Sequence, residues 1–222
     1  MATRRAMARD FRMPDTLLPM PFGRYTVFGE GGKPVGTEEF RCAPGPMGWR
    51  YFSQVDATDP SPHHETLDFA IDADWRIARM RIATGEHDIL LESGSDGTTL
   101  TGYRDNEPIE IPYGPDVHLD YFTPATNAIT ARRLTGTTEI DVVNLEPVTL
   151  EPTRVRQRYE LIGDEQIATP VGTFAASRWR FTALDSGWTA DLWLAGDIVV
   201  RYEGLFELTW LDPGGSGPRP VA

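Results

Sequence analysis

Thr123-Pro124-Ala125-Thr126-Asn127-Ala128-Ile129-Thr130-Ala131-Arg132-Arg133-Leu134 is the one stretch of this 222-residue chain that reads as a helix. Thr123 is a good N-cap, Pro124 suits the first helical position, and Arg132 and Arg133 place cations at the C-terminal end of the dipole. Everything on either side reads as strand and turn. A single helix among many strands predicts a plug inside a curled sheet, or a lid over it.

Working outward, the strands come in hairpin-like pairs. Arg24 to Gly29 and Pro34 to Cys42 flank Glu30-Gly31-Gly32-Lys33. Trp49 to Val55 follows, then Leu67 to Ile71 and Trp75 to Ala83, His87 to Ser93 and Thr98 to Tyr103, and a short strand at Glu107 to Ile111. After the helix come Thr138 to Leu145, Val155 to Ile162, Phe174 to Ala183, Trp188 to Leu194, Ile198 to Tyr202 and Leu205 to Trp210. Short connections make neighbours antiparallel, and so long a series tends to curl because open edges are a liability. The predicted fold is mainly β: a highly curved antiparallel sheet, an unclosed barrel, wrapped around one short helix. Punctuation is even throughout, so a single β-rich domain is expected over 23–211, with an N-terminal arm over 1–22 and a flexible Gly/Pro tail over 212–222.

Composition narrows the function. The net charge is −12, from 33 acidic and 21 basic residues, and no long Lys/Arg run offsets it. Such a field repels a phosphate backbone or an anionic membrane surface. No segment is long and apolar enough to insert in a membrane, and no secretory h-region precedes the first strand. Cys42 is the only cysteine, which suits a reducing compartment. The reading is therefore a cytoplasmic protein without nucleic-acid partner or membrane insertion. Its oligomeric state is open. Gly-x-Ser-x-Gly, P-loop and dinucleotide signatures are absent, and no cofactor is implied.

Asp116-Val117-His118-Leu119-Asp120-Tyr121-Phe122-Thr123-Pro124-Ala125-Thr126-Asn127, running on to Arg132-Arg133-Leu134, resembles the central motif of the glycolipid-binding family of bacterial proteins. Asp72-Ala73-Asp74-Trp75-Arg76 resembles that family's entry into a strand, and Asp197-Ile198-Val199-Val200-Arg201-Tyr202-Glu203-Gly204-Leu205-Phe206 its closing strand pair. The likeness spans residues 67–206. His118 departs from it, standing where the family tends to carry a second Asp. The opening Gly23-Arg24-Tyr25-Thr26-Val27-Phe28 and Thr169-Pro170-Val171-Gly172-Thr173-Phe174 are similar to the wider lipoprotein-carrier superfamily. The resemblance implies a curved sheet around a helix with a concave apolar cavity for lipid-like molecules. It implies no reaction.

Four groups of residues could carry chemistry. Asp116, His118 and Asp120 alternate along a strand, so they can share a face. A His between two carboxylates has its protonated form favoured and suits acid–base catalysis; the plainer reading is a polar strand end. Asn127, Arg132 and Arg133 lie in the motif. The arginines could grip an anionic head group or cap the helix and pair with strand acids. His63-His64-Glu65, after Pro60-Ser61-Pro62, lacks a further ligand at metal spacing, so a solvated loop is the better reading and no metal site is assigned. Aromatics abound, with six Trp, ten Phe and seven Tyr. Trp75, Tyr121, Trp188 and Trp193 are candidate ligand contacts, although such rings also fill cores. Two functions follow: binding a hydrophobic small molecule within the sheet, or cofactor-independent cyclase, isomerase or dehydratase chemistry on a hydrophobic metabolite such as a polyketide or terpenoid. A solid-cored interaction domain is the third reading.

Overall fold

The computed structural model describes residues 20–45 and 48–221. Most of the expected N-terminal arm therefore lies outside the described residues. The rest forms one sheet of fifteen strands, nearly closed into a barrel with one unsealed seam.

The strands are β1 Phe22–Phe28, β2 Pro34–Gly45, β3 Gly48–Ala57, β4 His63–Ile71, β5 Ile77–Ala83, β6 Asp88–Ser93, β7 Thr99–Arg104, β8 Glu107–Pro112, β9 Val117–Asp120, β10 Thr138–Leu145, β11 Pro152–Thr169, β12 Gly172–Ala183, β13 Thr189–Ala195, β14 Ile198–Tyr202 and β15 Phe206–Asp212. The helix α1, Pro124–Arg133, separates β9 from β10. Its crossover makes β9 and β10 the one parallel pair; every other neighbouring pair is antiparallel, as short turns dictate. The sheet runs β8 to β1, then β15 back to β9, so β1 pairs with β15 at its middle. Its edges, β8 and β9, are consecutive in the chain and face each other across the seam.

Alternation fills the interior. Along β3, Trp49, Tyr51, Ser53 and Val55 are buried while Arg50, Phe52 and Gln54 are exposed, the pattern of a strand with one core face. The helix is buried from Pro124 through Ala131. A helix enclosed on all sides is usually apolar throughout, yet this one is built of Ala, Thr, Asn and a single Ile. Small side chains let it fit within the curve of the sheet. It is a plug, not a lid.

Both ends of the plug are anchored. At the start, the Thr123 hydroxyl accepts from Ala125 N at 3.3 Å and donates to Glu38 Oε1 at 2.8 Å. At the end, Arg133 donates to Tyr113 Oη at 3.2 Å and to the Gly114 carbonyl, while Tyr113 Oη accepts from Ile77 N at 2.8 Å. Helix, β8–β9 connection and β5 are thus joined across the seam.

Some boundaries differ from the sequence reading. β4 begins at His63, so His63-His64-Glu65 is strand and not loop. Trp75 precedes β5 in a turn with φ +60°, a left-handed conformation uncommon outside Gly and Asn; Asp72 Oδ1 holds that turn by accepting from Asp74 N and Arg76 N at 2.9 and 2.8 Å. β11 extends to Thr169 across a register shift between Leu161 and Gly163. Residues 213–221 have no strand or helix, and Val221 N donates to Thr173 O at 2.7 Å.

Replacing Arg133 by Met should keep the helix-end packing but remove these hydrogen bonds. Stability should fall by about 1–3 kcal/mol in urea unfolding, with faster amide exchange at Ile77. Unchanged exchange there would show that Arg133 does not hold the seam.

Candidate functional site

A cleft of about 440 Å³ opens beside the start of α1, between the β9–α1 connection, β10, β11, β12 and the β14–β15 turn. One wall is aromatic. Trp188 lies 5.7 Å from Phe181 and 6.3 Å from Tyr202 between ring centres, and Phe122 lies 4.9 Å from Phe206. Trp188 and Phe122 are 43% and 41% exposed, so two large rings stand at the mouth facing solvent. Polar lining comes from β9, α1, β10 and β11: Asp120, Asn127, Asn144, Arg156 and Gln157. Gln157 Nε2 donates to Asp120 Oδ2 at 2.7 Å, and Asn127 Oδ1 accepts from Tyr159 Oη at 3.0 Å. These planar polar groups are held rigidly, so they present fixed donors and acceptors.

The expected acid–base row is not assembled. Asp116 is exposed ahead of β9. His118 is buried and meets Thr130 Oγ at 3.2 Å through Nδ1. Burial first, then the nearby Arg133 charge, pushes its pKa down to about 3, so the imidazole is neutral rather than held protonated between carboxylates. Asp120 faces the cleft, but its Oδ1 accepts from Thr126 Oγ at 2.7 Å and Tyr121 N at 2.9 Å. It organises the helix entry.

The expected ligand contacts divide. Tyr121, Asn127 and Trp188 line the cleft. Arg132 packs its guanidinium 5.0 Å from the Trp75 ring and lies 3.5 Å from Asp197. Trp75 packs 5.4 Å from Trp49. Arg133 is committed to the seam. Trp193 donates to Glu165 at 2.6 Å and lies between Arg178 and Arg201, 5.4 and 5.8 Å from its ring. An anionic head gripped by Arg132 and Arg133 is therefore not what this cleft offers. Among the described residues, no group of three or more His, Cys, Asp or Glu side chains is placed to hold a metal ion.

Two acids are buried against expectation: Glu38, which no motif marks, and Glu65, which the sequence places in a solvated loop. Glu38 and Glu65 point into the interior and are 0% and 4% exposed. Their signal was phase: Glu38 falls in step with buried Phe40 and Cys42, and Glu65 with Leu67, Phe69 and Ile71. A carboxyl in register with a core face is buried by the strand that carries it. Glu38 Oε1 accepts from Tyr51 Oη at 2.7 Å as well as from Thr123. Burial outweighs those hydrogen bonds and lifts its pKa from 4.5 to about 7. Burial also raises Glu65, against the pull of Tyr121 and of His63 at 3.3 Å.

The chain belongs to the family described as "Putative glycolipid-binding", which it matches over residues 30–207. It is similar in structure to a DUF1089 family protein from Pseudomonas aeruginosa, with 20% identity, 93% of this chain and 99% of that one covered, and a TM-score of 0.46. A beta-barrel-like protein of domain of unknown function DUF1849 from Brucella abortus gives 9% identity, coverage of 89% and 98%, and a TM-score of 0.49. No curated protein matches. No helix among the described residues is long and apolar enough to cross a membrane.

The folded chain keeps a proton on Glu38 that the unfolded chain has released between pH 4.5 and about 7. Stability therefore falls as pH rises through that window, by on the order of 3 kcal/mol for this group. Glu38→Gln should lack that share of the decline when urea unfolding is compared at pH 5 and pH 7.5. Parallel pH profiles would refute the burial effect.

Proposed function

We propose that this family member binds a lipid-like amphiphile in the cleft beside α1, with the apolar part against Phe181, Trp188, Tyr202 and Phe206 and a hydroxylated head against Asp120, Asn127, Asn144 and Gln157. The observation that carries the reading is that one cleft is lined both by aromatic rings from the β12–β15 half of its lining and by amides and a carboxylate from β9, α1, β10 and β11. Aliphatic chains and the C–H faces of sugars are buried well against aromatic rings, while sugar hydroxyls pair with planar groups that donate and accept. At about 440 Å³, the space is within the usual range for small-molecule sites. The family's description supports a sugar-bearing head. The lining supports an uncharged one, because Arg156 is the only cation there and it pairs with Glu139 at 2.7 Å.

Proton-transfer catalysis by Asp116, His118 and Asp120 is not favoured, since Asp116 is exposed, His118 is buried and neutral against Thr130, and Asp120 is held by Thr126 and Gln157.

Octyl glucoside below its micelle concentration should bind saturably in calorimetry, more tightly than glucose or octanol alone. Trp188→Ala should weaken it five- to tenfold, about 1–1.4 kcal/mol. Absence of binding, or equal affinity in the variant, would reject the cleft as the ligand site.

A further inference from the structure

Glu38 stands behind the cleft rather than in its lining. Register places it inside the sheet, paired with Tyr25 of β1 and Val55 of β3. Thr123 connects it to the site. The Thr123 hydroxyl donates to Glu38 Oε1 and accepts from Ala125 N, and the Thr123 carbonyl accepts from Asn127 Nδ2 at 3.2 Å. Phe122, Thr123 and Asn127 all line the cleft. One buried carboxyl thus holds the residue around which that part of the lining is built.

The surroundings suit a neutral carboxyl. Both donors, Tyr51 and Thr123, fall on Oε1, and Oε2 is buried without a hydrogen bond. An ionised carboxyl shares its charge over both oxygens and needs donors or a cation for each. The titratable groups that face Glu38 are Tyr25 from β1, Tyr51 from β3, Glu65 from β4 and Tyr121 from the β9–α1 connection. None of these is a cation; one is a second acid, with His63 beyond it at 3.3 Å. Ser53 of β3 adds a hydroxyl, and burial still outweighs it. Thr123 touches both the carboxyl and the cleft, so its release lets water from the cleft reach Glu38.

We propose that Glu38 is a positioning residue for the cleft: neutral, it holds Thr123 and the start of α1 in the binding arrangement, and ionised, it releases them to gain water, so that the cleft loses affinity. The inference rests on the cleft being the ligand site. Its direction with pH follows from linkage. A released, hydrated Glu38 has its ordinary pKa of 4.5, while the held carboxyl is raised to about 7. Between those values the released form is ionised and the held form is not, so release gains as pH rises; above about 7 both are ionised and the gain stops. Affinity is therefore higher at pH 5 than at pH 8.

Two measurements on the full chain test this. Octyl glucoside, titrated by calorimetry, should bind the native chain about fivefold more weakly at pH 8 than at pH 5, because a smaller fraction is binding-competent. Glu38→Gln should bind at both pH values as the native chain does at pH 5. Without ligand, amide exchange at Ala125 reports the Thr123 cap directly. Corrected for the intrinsic effect of pH, its protection should fall by a similar factor in the native chain and stay constant in Glu38→Gln. If that variant fails to fold, the native chain decides: Ala125 protection should change over the same pH range as the Glu38 carboxyl carbon shift in NMR. Failure of octyl glucoside to bind at either pH would reject the cleft as the ligand site, and the Ala125 profile would still judge Glu38. The proposal is overturned if Ala125 protection ignores pH, if it changes alike in native chain and variant, or if it falls while affinity holds.

Discussion

The hydrogen bond from Thr123 to the buried Glu38 carboxyl, 2.8 Å long, fixes where the helix enters the barrel. A sheet of fifteen strands encloses more volume than its own side chains fill, and α1 occupies the middle of it. The helix is short, with little apolar surface of its own, so a few polar ties at its ends decide its position. Thr123 caps the first turn and grips Glu38 with the same oxygen, Asp120 gathers Thr126, Tyr121 and Gln157, and Arg133 closes the far end. The cleft is the space left over on the N-terminal side of that arrangement. Its polar wall is made partly of the groups that hold the helix, which makes the wall rigid.

The interior is divided between two chemistries. Stacked rings run from Tyr25 through Phe40, Tyr51 and Trp49 on one side, a packing that gains from both area and ring geometry. Set within it are two acids that destabilise the fold when ionised. A core built for stability alone would carry Leu or Met at Glu38 and Glu65. Such departures from local consistency cluster where a protein has something to bind or hold.

Most of the fold was legible in the residues. The helix follows from Thr123-Pro124 at its start and Arg132-Arg133 at its end, and Thr138–Leu145 and Ile198–Tyr202 have the bounds that alternation suggests. Pro60-Ser61-Pro62 concealed the start of β4, because proline marks a break while the histidines after it have no strong strand preference. The polar run Gly163-Asp164-Glu165-Gln166 concealed the outer half of β11, where a hairpin needs no core pattern to stay paired. Of the residues singled out in the sequence, Trp188, Tyr121 and Asn127 line the cleft, whereas Arg132 and Arg133, neighbours in sequence, leave the helix in different directions toward Trp75 and Tyr113. Glu38 and Glu65 were visible only as charges out of place in an apolar phase.

The pairing of β1 with β15 has a consequence for how the chain acquires its shape. These strands are partners at the centre of the sheet, yet almost the whole domain lies between them in sequence. On the ribosome, the hairpins from β1 to β8 can form as they emerge, but the free edge of β1 stays uncovered until residues 206–212 have been made. A long unpaired edge is a template for association with other chains. The nascent protein is thus most exposed to mispairing late in translation, when the greater part of its sheet already exists and its middle is still missing.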